Sequence, residues 1–87
     1  MKIVEIRNIE RKDVPIYYRR LYSGTAVLEL MSKPIETRLD FQIEQKPTGH
    51  SEIGITLSDK IDYPLVPLHK ELKNFIGALD TDGKLPL

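Results

Sequence analysis

Apolar and polar side chains alternate strictly along the middle of this chain, and such alternation is typical of β-strands with one buried face. Over residues 35–44, apolar or β-branched residues take the odd positions and charged or amide residues take the even ones. The alternation returns over residues 51–57, after the turn-forming residues 46–50. We therefore predict a hairpin with an apolar pair at every inward position. The predicted pairs are Ile43 with Ile53, Phe41 with Ile55, and Leu39 with Leu57.

Upstream of this hairpin, further segments also have the composition of strands. Residues 25–31 extend the hairpin through a turn at residues 32–34, with Leu30 placed opposite Ile35. Before them, the dipeptide Ser23-Gly24 is a typical tight-turn sequence and separates residues 25–31 from another β-rich segment. The predicted strands are 2–9, 14–22, 25–31, 35–45 and 51–57, with residues 10–13 as the loop that leaves the first strand.

After residue 65 the hydrophobic period changes from two to that of a helix. The apolar residues at helical spacing are Leu68, Leu72, Phe75, Ile76 and Leu79. They predict a helix over residues 66–79, with Pro67 in its first turn and an exposed tail over residues 80–87. The whole chain, 1–87, is expected to form one α+β domain: an antiparallel sheet of four to five strands with one C-terminal amphipathic helix packed on one face.

One helix covers one face of a sheet, so the side chains on the other face become candidates for a partner site. If Ser23-Gly24 forms a two-residue turn, the uncovered face carries a set of apolar and aromatic residues that we call the predicted patch. Its members are Ile16, Tyr18, Tyr22, Val27 and Met31. The same register places Tyr17, Arg19 and Leu21 inward. A three-residue loop would reverse the alternation and bury Tyr18 and Tyr22 instead.

The charge and cysteine content narrow the classes of function. The chain has 13 basic and 13 acidic residues, and this balance disfavours a dedicated duplex-DNA binder, which needs a positive field. Basic residues predominate up to Tyr22 and acidic residues after it, an asymmetry compatible with self-association. The absence of cysteine excludes disulfides and thiolate zinc sites. With no signal-peptide pattern and no long apolar run, we expect a cytoplasmic protein without a membrane partner.

The segment Tyr17–Tyr22 combines aromatic rings with arginines, the chemistry by which sheets bind single-stranded nucleic acid. The candidate residues are Tyr18, Arg19, Arg20, Tyr22 and Arg7. The order of hairpin strands and terminal helix resembles the repeat unit of PUR-type single-strand binders, and this resemblance implies the same kind of ligand. The acidic ladder Glu36, Asp40 and Glu44 on the same face counts against phosphate binding.

No catalytic, metal or cofactor site is predicted from the sequence. His50 falls in a hairpin loop and His69 on the polar side of the helix, without a nucleophile or orienting carboxylate beside either. Asp80 and Asp82 lack the other ligands of a calcium loop. We therefore predict a non-enzymatic interaction domain that forms a homodimer through the uncovered sheet face or an edge strand, with single-stranded nucleic-acid binding as the alternative.

Overall fold

The computed structural model describes residues 1–15 and 17–86. Within these residues the chain forms four strands and one helix. They are β1 (Lys2–Lys12), β2 (Arg19–Leu30), β3 (Lys33–Gln45), β4 (Ser51–Leu57) and α1 (Leu65–Thr81). The strands are antiparallel neighbours in the order β1-β2-β3-β4, and α1 packs on one face of the sheet. The predicted α+β class is therefore confirmed.

The hairpin of β3 and β4 has the predicted register. Ile43 lies opposite Ile53, and Phe41 lies opposite Ile55. These inward side chains continue into β2 and meet the apolar side of α1, where Leu68, Leu72 and Ile76 are fully buried. We call this covered side the inner face of the sheet and the opposite side the outer face.

The turn between β2 and β3 is shorter than predicted, and the register differs by two residues. Leu30 lies opposite Lys33, and Leu28, instead of Leu30, lies opposite Ile35. The connection contains only Met31 and Ser32, whose φ angles of 50° and 66° are those of a type I′ turn. Because the shift is an even number of residues, the same side chains remain on the inner face.

The predicted turn at Ser23-Gly24 is wrong, since β2 runs without interruption through both residues. Gly24 lies there because β1 crosses close to it. A Cβ atom at this position would be 3.2 Å from Ile6 Cγ2 and 3.3 Å from the carbonyl oxygen of Arg7. The glycine thus serves close packing in the middle of a strand.

Strand β1 is also longer than predicted, because residues 10–12, expected in a loop, continue the pairing with β2. Its register shifts twice, between Ile3 and Glu5 and between Arg7 and Glu10. The second irregularity includes Asn8 in a left-handed conformation, with φ of 55°. These bulges keep Ile3, Ile6 and Ile9 packed against the core although they are not evenly spaced by two.

Helix α1 begins at Leu65 and ends at Thr81, close to the predicted limits. The predicted exposed tail is wrong for Leu85, which is buried in the core. Asp80, placed in the same tail, lies in the last turn of α1 and bonds to Arg20. These contacts fasten the end of the chain to the start of β2.

Candidate functional site

The outer face of the sheet is charged. Residues that alternate with the buried ones on all four strands point to this side. Its charged members are Lys2, Glu5, Arg7, Glu10, Lys12, Arg19, Glu29, Glu36, Arg38, Asp40, Glu44 and Glu52. Carboxylates outnumber cations in this set, and the apolar side chains among them, Leu21 and Val27, are half-buried. An extensive apolar surface is thus not present on the described part of this face.

Ion pairs cross the outer face from strand to strand. Arg7 of β1 contacts Glu36 of β3, and Lys12 lies 3.2 Å from Asp40. Their positive charges therefore already face protein carboxylates. Each pair is about half exposed, so its contribution to stability is small.

The structure separates the residues of the predicted patch. Tyr22 is only 1% exposed and stacks on Phe41, with ring centroids 5.0 Å apart, so it is absent from the outer surface. Its burial follows from the unbroken β2, in which Tyr22 has the same parity as Ala26 and Leu28. Val27 is half-buried on the outer face, and Met31 is exposed at the β2–β3 turn. Ile16 lies outside the described residues.

The candidates for nucleic-acid binding are likewise divided between the two faces. Arg20 points to the inner side, where its guanidinium donates to Asp80 at 3.0 and 3.2 Å and to the Tyr22 hydroxyl at 3.3 Å. The hydrogen bond to Asp80 is the main reason why the pKa of Arg20 is raised. Arg7 and Arg19 are on the outer face and are paired there with carboxylates. One strand therefore does not present Tyr18, Arg20 and Tyr22 together, contrary to the prediction.

An aromatic corner remains at the start of β2, and we define it by Tyr17, Tyr18 and Pro47. Tyr17 is 97% exposed, and its ring meets that of Tyr18 edge to face, with centroids 5.6 Å apart. The Gln45 backbone N–H donates to the Tyr18 carbonyl oxygen at 2.8 Å and fixes the corner to β3. Together with Glu44, Gln45 and Lys46, these residues line an open cleft of about 570 Å3.

The exposed Tyr17 ring is a residue that the sequence prediction, which places it inward, does not find. The predicted strand 14–22 contains Pro15, and β2 begins only at Arg19. A proline lacks the N–H that a strand interior requires. That residue was the available signal for a loop with exposed tyrosines.

Glu44 is the electrostatic centre of the cleft. Lys46 Nζ lies 2.7 Å from one carboxylate oxygen, and the Arg19 guanidinium donates to the other from Nε at 3.2 Å and from Nη2 at 2.5 Å. The hydrogen bond from Lys46, followed by that from Arg19, lowers the pKa of Glu44. The same carboxylate raises the pKa of Lys46. Arg19 also lies 5.9 Å from the centre of the Tyr18 ring.

A second, more polar hollow of about 320 Å3 adjoins the aromatic corner. Its lining residues are Arg11, Lys12, Asp13, Val14 and Arg19. Arg19 is therefore next to both openings. An aromatic surface and cationic side chains lie side by side at this end of the sheet.

At the opposite side of the sheet, β4 presents a strand edge. Lys46 N donates to the His50 carbonyl at 2.8 Å and Ser58 N to the Arg38 carbonyl at 3.0 Å. In an antiparallel pair, these bonds set the even-numbered residues of β4 toward β3. The backbone N–H and C=O groups that point away from β3 belong to Ser51, Ile53, Ile55 and Leu57. In the described part of the chain, no strand pairs with that side.

The two edges of the sheet differ in how they resist pairing. Strand β1 is interrupted by two register shifts and carries charged residues along its whole length. Both features are common ways to prevent a strand from pairing with another chain. Strand β4 is regular from Ser51 to Leu57, contains no proline, and has one charged residue, Glu52. Its edge therefore lacks the protection that β1 has.

Other site chemistry is sparse. His50 is exposed, and His69 is half-buried on α1. Residues 1–15 and 17–86 contain no group of three or more His, Cys, Asp or Glu side chains arranged to hold a metal ion. In the same residues, no helix is long and apolar enough to cross a membrane.

Comparison with known proteins places the chain in a family. A model described as the BB-0187 family matches residues 1–81, from the start of the sheet to the last residue of α1. The chain belongs to the BB-0187 family. No curated protein and no solved structure matches this member of the BB-0187 family. The match assigns the chain to a family and names no activity.

Proposed function

We propose that this domain is a non-enzymatic interaction module that associates with itself through the edge of β4. The observation that carries the proposal is the row of outward-pointing backbone groups on Ser51, Ile53, Ile55 and Leu57. Adding a strand to such an edge satisfies these groups with main-chain hydrogen bonds. The sheet would then continue from one copy into the next.

The edge of β4 is favoured over the outer face for a chemical reason. Protein interfaces are depleted of charge at their centres, whereas the outer face carries a network of ion pairs. Burying that network against a partner would remove water from many charges at once. Pairing at β4 instead leaves the ion-paired face exposed to solvent.

The first experiment compares two substitutions at Ser51. Both Ser51→Pro and Ser51→Ala remove the hydroxyl that donates to Gln45 Oε1 at 3.2 Å. Only proline also removes the N–H that points away from β3. Sedimentation velocity from micromolar to near-millimolar protein should show dimers for the wild type and Ser51→Ala, and at least tenfold weaker association for Ser51→Pro.

Circular dichroism checks that both variants retain the fold. A wild type that remains monomeric over the whole concentration range contradicts the proposal. Equal association of the two variants would contradict the use of this edge.

Single-stranded nucleic-acid binding is a second candidate, supported by the aromatic corner beside the basic hollow. Tyr17 and Tyr18 would stack bases, while Arg11 and Arg19 would hold backbone phosphates. Glu44 and Asp13 lie in the same region and oppose an anion there. For this reason the nucleic-acid function is the weaker of the two proposals.

Fluorescence titration with oligothymidylate separates this candidate from plain exposure of tyrosine. Tyr17→Ala removes the stacking ring and should weaken binding about tenfold, whereas Tyr17→Phe keeps the ring and should bind like the wild type. Affinity should also fall with added salt if phosphates are bound. Absence of binding at low salt would dismiss the candidate.

A further inference from the structure

We infer that β4 pairs with β4 of a second copy in one antiparallel register, in which Gly54 lies on the two-fold axis. This inference rests on the proposed self-association and specifies its geometry. Ile53 would lie opposite the partner's Ile55, and Glu52 opposite the partner's Thr56. The resulting sheet would have eight strands and a helix from each copy on the same face.

The direction of the backbone groups restricts the choice of register. The outward N–H and C=O groups belong to the odd-numbered residues of β4. Both copies must use these residues, so an odd-numbered residue has to face an odd-numbered one. A shift that paired odd with even residues would leave the edge groups of both strands without partners. It would also place the helices of the two copies on opposite faces.

The length of β4 then selects one of the remaining registers. With the axis at Gly54, the whole of Ser51–Leu57 pairs with the same segment of the partner. Moving the axis to Ile53 or to Ile55 leaves residues at one end of each strand opposite a loop. The central register therefore forms the largest number of hydrogen bonds.

Side-chain chemistry favours the same register. Glu52 is the only charged residue in β4, and with the axis at Gly54 it faces a threonine of the partner. An axis at Glu52 would bring the two glutamates directly opposite each other, which is unfavourable. On the inner face, the half-buried Ile53 and Ile55 would each gain an apolar neighbour from the partner.

Gly54 suits the position on the axis because it carries no side chain toward the outer face. A Cβ atom there would lie 3.1 Å from Gln42 Nε2 and 3.2 Å from Gln42 Cγ, so the glutamine side chain already covers this point. In the paired sheet, the Gln42 side chains of both copies would lie beside the axis. They would shield the central backbone from water.

Cysteine cross-linking tests the register directly, and the natural absence of cysteine makes the result clean. Two single variants are prepared, Glu52→Cys and Thr56→Cys, both at exposed outer-face positions. Residues in such a non-hydrogen-bonded pair have Cα atoms about 4.5 Å apart, within the range of a disulfide. Mixing the two variants under mild oxidation should give a cross-linked heterodimer as the main product, at least tenfold over either variant alone.

The control mixes Thr56→Cys with Glu5→Cys, which places a cysteine on the protected edge β1. This mixture should give no more product than random collision. A sedimenting dimer without the mixed cross-link, or with self-cross-linking of Glu52→Cys, would overturn the register while leaving self-association intact. A chain that neither sediments as a dimer nor cross-links would overturn both proposals.

Discussion

Tyr22 shows how one side chain changes the interpretation of a surface. Counted among exposed aromatics it belongs to a binding patch, but in the structure it fills the core between the sheet and α1. Its ring stacks on Phe41, and its hydroxyl accepts a hydrogen bond from Arg20. The residue therefore acts through stability and through the placement of Arg20.

Replacing Tyr22 with alanine should lower the free energy of unfolding by about 3–5 kcal/mol, because a large buried ring is lost and a cavity remains. Tyr22→Phe is the matched control, since it keeps the stacking and removes only the hydroxyl. Its cost should be about 1 kcal/mol or less. Urea unfolding followed by circular dichroism measures both values. A small effect of Tyr22→Ala would mean that the ring is exposed in solution.

Glu44 predicts a dependence of stability on acidity. Its pKa lies below the ordinary 4.5 in the folded chain, chiefly because of Lys46 and then Arg19. A lowered pKa means that the folded state favours the ionised carboxylate. This contribution is complete above the unfolded-state pKa and is lost as the pH falls through the folded-state pKa.

Glu44→Gln should accordingly be less stable than the wild type at neutral pH, and the difference should shrink as the pH falls below 4.5. Urea unfolding at a series of pH values measures the difference. Glu29→Gln is the control, because Glu29 has no ion pair within the described residues. A constant difference between the wild type and Glu44→Gln across this range would argue against the cleft geometry.

At the level of elements, the β2–β3 turn has a conformation that its residues do not favour. Type I′ turns need positive φ at both central positions and prefer asparagine followed by glycine. Here the positions are taken by Met31, which is 92% exposed, and Ser32. Long pairing of β2 with β3 holds the turn in place despite the residues within it.

Substituting Met31→Asn together with Ser32→Gly should therefore raise the free energy of unfolding by about 1 kcal/mol, because the left-handed conformation becomes less costly. The exposed Met31 side chain gives up little packing. A double change to alanine keeps the conformational cost and should bring no gain. Thermal and urea unfolding of the three proteins would decide, and a gain from the alanine pair would contradict the turn assignment.

The elements also show where sequence reasoning succeeds and where it fails. The register of the β3–β4 hairpin is predictable because both strands alternate without interruption around one loop. Ser23-Gly24 misleads the prediction because its turn preference is local, whereas the reason for Gly24 is the nearby Ile6 of a distant strand. The predicted patch fails for the same cause. The edge of β4 becomes specific only once the strand order is known.

For the whole molecule, self-association predicts that stability depends on protein concentration. A folded dimer that unfolds to separate chains gains stability by mass action, so its midpoint of thermal unfolding rises with concentration. The wild type and Ser51→Ala should show this rise by a few degrees over a hundredfold range. Ser51→Pro should melt at one temperature throughout. Differential scanning calorimetry measures the midpoints, and a concentration-independent wild type would contradict the dimer.

The unequal edges of the sheet also decide how large such an assembly becomes. An assembly grows into a fibre when each new subunit exposes a fresh copy of the surface by which it was captured. Once β4 has paired with another β4, only the bulged and charged β1 remains at either margin. Polymerisation therefore has no further step. The irregularities of β1 would cap the assembly at two chains and protect a protein with one sticky strand from aggregation.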